Sequence, residues 1–100
     1  QPNAMGGREV GGLANQLAAH MDFDPEHVDT VEAFWEAPNI ARQPGLKAVD
    51  LFNEIARGKI KAVWIMATNP LVSMPEAHAV RNALRQCDLV IVSDCMRKTD

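Results

Sequence analysis

The sequence contains no apolar run longer than six residues, the AVWIMA of residues 62–67, far too short to cross a bilayer. No basic-then-apolar leader stands at its start. Its two cysteines, Cys87 and Cys95, are neither a CxxC pair nor a disulfide framework, and such sparse use suits a reducing cytosol. Basic excess is lacking as well. Ten Lys and Arg are scattered among thirteen Asp and Glu, for a net charge of −3, so there is no stripe for a nucleic-acid polymer. The expectation is a cytoplasmic protein with neither a membrane nor a nucleic-acid partner. A small anionic ligand stays open, because backbone N–H groups and a single Arg can hold one without a basic surface.

What is present is 100 residues, 47% of them apolar, enough for one modest core and read as a single domain over 1–100. The chain starts Gln-Pro-Asn without Met and stops at Thr99-Asp100 just after an expected strand. Both ends read as cut, and the expectation is an internal piece of a larger protein.

Residues 1–12, QPNAMGGREVGG, hold four of the six glycines and read as a glycine-rich loop. The glycine pairs do not make GxGxxG, so a phosphate loop has little support there. Leu13, Leu17 and Met21 recur every four residues and predict a helix over about 12–21. Asp24-Pro25 reads as an N-cap and first helical position, opening a helix over about 25–36 with Val28, Val31 and Trp35 on one face. A further helix over about 46–57 buries Ala48, Leu51, Phe52 and Ile55 and ends at Gly58, with Arg57 near the negative end of the dipole. A buried strand follows at about 61–67. The stretch Ser73-Met-Pro-Glu76 has capping-box spacing and opens a helix over about 74–86 that buries Ala79, Val80, Ala83 and Leu84. A second buried strand lies at about 89–93.

Two buried strands joined by a helix form a βαβ unit, and the strands of such a unit run parallel. Their C-terminal ends lie side by side, at the edge where open α/β sheets bind ligands. Thr68-Asn69 ends the first strand and Ser93-Asp94 the second, so both pairs are placed at one mouth. Asp94 offers two acceptor oxygens that suit a guanine edge or a ribose diol. Asn69 donates and accepts, and Ser93 adds a hydroxyl. The alternative is a plain turn at Asn69-Pro70 and a plain strand end at Ser93-Asp94.

The runs QPNAMGGREVGGLANQLAAHM, PGLKAVDLF, IKAVWIMATNPLVSMP and LVIVSDCMRKTD resemble the assimilatory nitrate reductases of the molybdopterin oxidoreductase family. The resemblance covers nearly the whole chain. It implies an internal piece of a nitrate-reducing molybdenum enzyme with a bis(molybdopterin guanine dinucleotide) cofactor. The piece would belong to the Rossmann-like, three-layer domain that grips one guanylyl arm. Asn69 would match the family's cofactor-binding asparagine, and Ser93 with Asp94 its nucleotide-binding pair. Gln1 and Arg8 are similar to residues lining the substrate funnel, where the guanidinium fork suits planar nitrate. Outside that likeness, Arg8 reads as a salt-bridge or solvent-facing side chain. The implied partners are nitrate, an electron donor protein or domain, and the remaining domains of the same polypeptide. The family's 4Fe-4S cysteines, and the segment supplying the protein ligand to molybdenum, are absent from this stretch.

Other constellations carry less. His20, Asp22, Asp24 and His27 fit no common zinc spacing, and no metal ligand is assigned. Cys87 reads as a small buried hydrophobe and Cys95 as a loop thiol. Trp35 and Trp64 read as core, and His78 as a solvent-edge side chain. A non-catalytic α/β nucleotide-binding or receiver-like regulatory module is the alternative from another class. A receiver would need further acidic groups at the end of the first strand, where this chain has Thr68-Asn69. A dehydrogenase would need its glycine fingerprint directly after that strand.

Overall fold

A computed structural model describes residues 3–99. The chain divides into two compact units, Gln1–Lys47 and Ala48–Asp100. The fold is α/β, as the patterning predicts. Helices flank a parallel sheet of two strands among the described residues.

In the first unit the glycine-rich stretch is not a loop. Helix α1 spans Ala4–Glu9 and contains Gly6 and Gly7. Its end explains the second glycine pair. Gly11 takes a left-handed φ of 76° and donates its N–H to Arg8 O, while Gly12 N–H donates to Gly7 O at 2.7 Å. That is a Schellman closure, in which two otherwise orphaned carbonyls are satisfied by the residues after the helix. A Cβ on Gly12 would lie 2.6 Å from Gly7 O, so the closure requires glycine there too. The glycines hid the helix because they lower its propensity while ending it well.

The helix expected over 12–21 does not form. Leu17 N–H donates forward to Met21 O at 2.7 Å, where an α-helix would need it to donate back. The segment holds only a 3-10 turn at Ala18–His20, with Ala19 and His20 at positive φ. Leu17 and Met21 still turn inward, whereas Leu13 is 40% exposed, so the four-residue spacing marked burial at two of its three positions and no helix. Helix α2, Pro25–Trp35, lies where Asp24-Pro25 places it, although Asp24 makes no side-chain cap among the described residues. Val28 and Val31 join Leu17 in a small core, with Met21, Phe23 and Ile40 around it. Trp35 is not core: it is 48% exposed at the helix end.

The second unit opens with α3, Ala48–Ala56. Phe52 and Ile55 are buried and Leu51 is half-buried, but Ala48 is exposed. Gly58, at φ 73°, donates to Ile55 O, and Lys59 N–H donates to Glu54 O, a second Schellman closure. Strand β1, Ala62–Met66, leads to a one-turn helix α4, Pro70–Ser73, then to α5, Ala77–Gln86, and β2, Leu89–Ser93. The strands pair in parallel from Ala62↔Leu89 to Met66↔Ser93.

The helix expected from residue 74 is therefore two helices. Pro75 disfavours the helical region for Met74, which is extended at ψ 149°. Ser73 ends α4 with its hydroxyl donating to Asn69 O, and Glu76 sits left-handed before α5 without a side-chain cap. The Ser73–Glu76 capping box is not made.

Helices α3 and α5 pack together through Phe52, Ile55, Val80 and Ala83. Ile55 is 1% exposed, and such burial is worth about 2–3 kcal/mol. Leu84 and Cys87 are half-buried against this core, and Ala79 is exposed. The strands are less buried than their composition predicts. Val63 and Ile65 face the helices, whereas Trp64, Met66, Leu89 and Ile91 line an open face. Trp64 is 60% exposed, not core. No helix among the described residues is long and apolar enough to cross a membrane.

Candidate functional site

The C-terminal ends of β1 and β2 lie side by side because the strands are parallel and in register to their last pair, Met66↔Ser93. Beyond it, Ala67 N–H donates to Ser93 O at 3.1 Å, so the ladder runs one rung past the strands. Ala67 does this at φ 52°, a left-handed conformation that costs an L-residue about 1–2 kcal/mol. The turn takes the chain directly into Thr68 and Asn69.

Asn69 is the N-cap of α4. Its Oδ1 accepts from Leu71 N–H at 3.1 Å, and Pro70 fills the first helical position, where no N–H is missed. The Asn-Pro pair is thus a helix start built onto a strand end. Asn69 and Asp94 line one cleft of about 70 Å³ together with Thr68, Leu71, Val92 and Thr99. The cleft admits a polar group or two waters, a corner of a site more than a whole nucleotide pocket.

Asp94 carries a formed acceptor. Its Oδ1 accepts from Met96 N–H at 3.1 Å, and that bond, with Cys95 contributing less, holds the carboxyl below its ordinary pKa. It is ionised at neutral pH. The cleft thus carries an anionic acceptor at Asp94 and the Thr68 hydroxyl, groups that suit N–H and hydroxyl donors of a polar ligand better than a bare anion.

Ser93 is not in that cleft. Neighbouring residues of a strand point to opposite faces, so Ser93 turns to the open face as Asp94 turns to the helix side. There Trp64 Nε1–H donates to Ser93 Oγ at 2.9 Å. Asn69 and Asp94 are brought together, and Ser93 meets the same sheet edge from behind. The Trp64 contact is absent from the sequence reading. Strands reading AVWIM and LVIVS have no polar face to mark which side stays open.

Arg8 lies exposed on α1 in the other unit. Its backbone O accepts from Gln16 Nε2 at 2.8 Å, and its guanidinium is in none of the ion pairs among the described residues. Gln1 lies outside the described residues. Asp22, Asp24 and His27 do cluster, with ligand atoms within 4.8 Å of one another. Asp22 Oδ1 accepts from Asp24 N–H and pairs with His27 Nδ1 at 2.6 Å, contacts that shape the entry into α2.

Residues 3–100 match the family described as molybdopterin oxidoreductase. The chain is 58% identical over its full length to a nitrate reductase of Klebsiella oxytoca, covering 12% of that protein. It is 52% identical over its full length to a nitrate reductase of Shewanella frigidimarina (strain NCIMB 400), covering 11% of it. To a periplasmic nitrate reductase of Campylobacter fetus subsp. fetus (strain 82-40) it is 33% identical over 94% of the chain, again covering 11% of the relative. The chain thus spans 11–12% of the length of these relatives.

Proposed function

The chain belongs to the molybdopterin oxidoreductase family, and on that premise we propose that it is part of a cytoplasmic, assimilatory enzyme that reduces nitrate to nitrite. Both units belong in this reading to the domain that holds a bis(molybdopterin guanine dinucleotide) cofactor. The higher identity to the proteins named simply nitrate reductase, 58% and 52% against 33% for the periplasmic one, supports the assimilatory type.

One observation carries the cofactor role: Asn69 and Asp94, 25 positions apart in the chain, line one cleft at the ends of adjacent parallel strands. Asp94 accepts from N–H or hydroxyl groups of the guanylyl arm. Asn69, whose Oδ1 already caps α4, serves through its amide. Ser93 adds a hydroxyl at the same edge. The cofactor, when bound, supplies oxygen-atom transfer and electron acceptance at molybdenum, and the chain supplies position and electrostatics. Arg8, with Gln1, serves the substrate funnel, where a guanidinium in none of the ion pairs among the described residues suits planar nitrate. The 4Fe-4S cluster and the contact with an electron donor belong to the rest of the polypeptide.

The test is a count of nucleotide in the full-length enzyme. Acid hydrolysis should release two GMP per molybdenum from the parent protein. Asn69→Ala and Asp94→Ala should each speed cofactor loss on timed dialysis about tenfold, the loss of one charge-assisted or amide hydrogen bond. Loss rates equal to the parent's in both variants would refute the assignment.

A further inference from the structure

We infer that Trp64 is a positioning residue of the nucleotide site, fixing Ser93 as a hydrogen-bond donor to an oxygen of the ligand. The inference rests on the nucleotide-binding reading of the strand ends and adds a residue and a polarity to it.

A serine hydroxyl is a rotor with one proton and two lone pairs, and nothing in its chemistry decides whether it gives or accepts. The indole N–H is donor only. Its 2.9 Å bond to Ser93 Oγ therefore makes Ser93 the acceptor in that contact. The serine's own proton is left for another partner. The backbone fixes the rest, since Ser93 pairs with Met66 and its carbonyl accepts from Ala67 N–H. Trp64 sits one rung of the same face behind Met66, which is where a long indole reaches diagonally to Ser93.

Ser93 and Asp94 then form a pair of opposite polarity astride the sheet edge. Asp94, on the helix side, only accepts. Ser93, on the open side, is set to donate. A nucleotide presents both kinds of group, with N–H and hydroxyl donors on base and ribose and acceptor oxygens on ribose and phosphate. A group lying across the edge can meet each residue with its complement. The partner assigned to Ser93 is an acceptor oxygen of the guanylyl arm.

The test uses full-length enzyme and reads the first-order loss of GMP-bearing cofactor on timed dialysis, with melting temperature measured alongside. Ser93→Ala and Trp64→Phe should each raise the loss rate about fivefold, the scale of one neutral hydrogen bond. The double variant should be no worse than Ser93→Ala, because Trp64 acts through Ser93. Threonine holds its hydroxyl by a stiff χ1, so Ser93→Thr in the Trp64→Phe background should restore the rate to within about twofold. A structural loss at Trp64 would lower the melting temperature and would not be rescued. Trp64→Tyr, another ring without the indole N–H, replaces Trp64→Phe if that variant does not accumulate.

Additive effects of the two substitutions, or no rescue by threonine, would overturn the positioning role. So would an unchanged rate in Ser93→Ala while Asn69→Ala and Asp94→Ala lose cofactor faster. Unchanged rates in all three of these alanine variants would instead bring down the nucleotide-binding reading itself.

Discussion

Ala67 donates its backbone N–H to the carbonyl of Ser93 at 3.1 Å, one rung past the last strand pair, and does so at a φ of 52°. The edge of the site is therefore held by a residue in a conformation that L-residues avoid. Glycine would adopt it freely, at the expense of a more flexible unfolded chain. Ala67→Gly should stabilise the fold by about 0.5–1 kcal/mol, and Ala67→Val should destabilise it by about 1 kcal/mol or more. Urea midpoints at unchanged m-value check both. A destabilised glycine variant would show that the turn is not strained.

Glu36 poses the same question away from the site. It takes φ 50° after α2, donating to Ala33 O while Ala37 N–H donates to Glu32 O. This is the Schellman closure that Gly11 makes after α1 and Gly58 after α3, here with a side chain in the glycine position. Glu36→Gly should raise stability by about 0.5–1 kcal/mol, again read from the urea midpoint. A fall of that size would mean that the Glu36 side chain contributes more than its backbone strain removes.

These closures show what the sequence made legible. Gly58 was readable because one glycine follows a clean apolar period. Gly11 and Gly12 were not, since four glycines within twelve residues look like a loop before they look like a helix and its stop. Glu36 carries no compositional signal. The βαβ unit could be read from two apolar runs around one amphipathic stretch, and with it the shared edge for Asn69 and Asp94. The break at Met74 was written in Pro75 but masked by a false capping box. What could not be read was the direction of Ser93. With no polar face in either strand, it is the folded sheet that reveals Trp64 and Ser93 sharing the open side.

Asn69 has two tasks that substitution can separate. As N-cap it needs an acceptor for Leu71 N–H, which aspartate also provides. As a ligand contact it needs the amide, which aspartate lacks. Asn69→Asp should leave stability within about 0.5 kcal/mol, whereas Asn69→Ala should cost about 1 kcal/mol. Both should speed loss of the guanylyl cofactor from the full-length enzyme. Normal retention in Asn69→Asp would confine Asn69 to its capping role.

Asp94 should reveal its carboxylate through pH. Met96 N–H, with a lesser contribution from Cys95, holds the folded-state pKa below the ordinary value. A depressed folded pKa stabilises the fold fully above the unfolded value, about 3.9, and that stability is lost as pH falls through the folded one. The acceptor needed by the ligand follows the same ionisation. Cofactor retention should thus owe nothing to Asp94 titration between about pH 8 and pH 5. Asp94→Asn, which keeps the shape but replaces an anionic acceptor with a neutral amide, should speed loss across that whole interval by a constant factor. The measurement is the GMP remaining after timed dialysis at several pH values, parent against variant. A parent whose retention falls between pH 7 and pH 5, with the fall abolished in Asp94→Asn, would mean that the carboxyl titrates far above its ordinary range. That outcome would require a site unlike this one, in which burial or a neighbouring anion outweighs the N–H of Met96 and disfavours the Asp94 carboxylate.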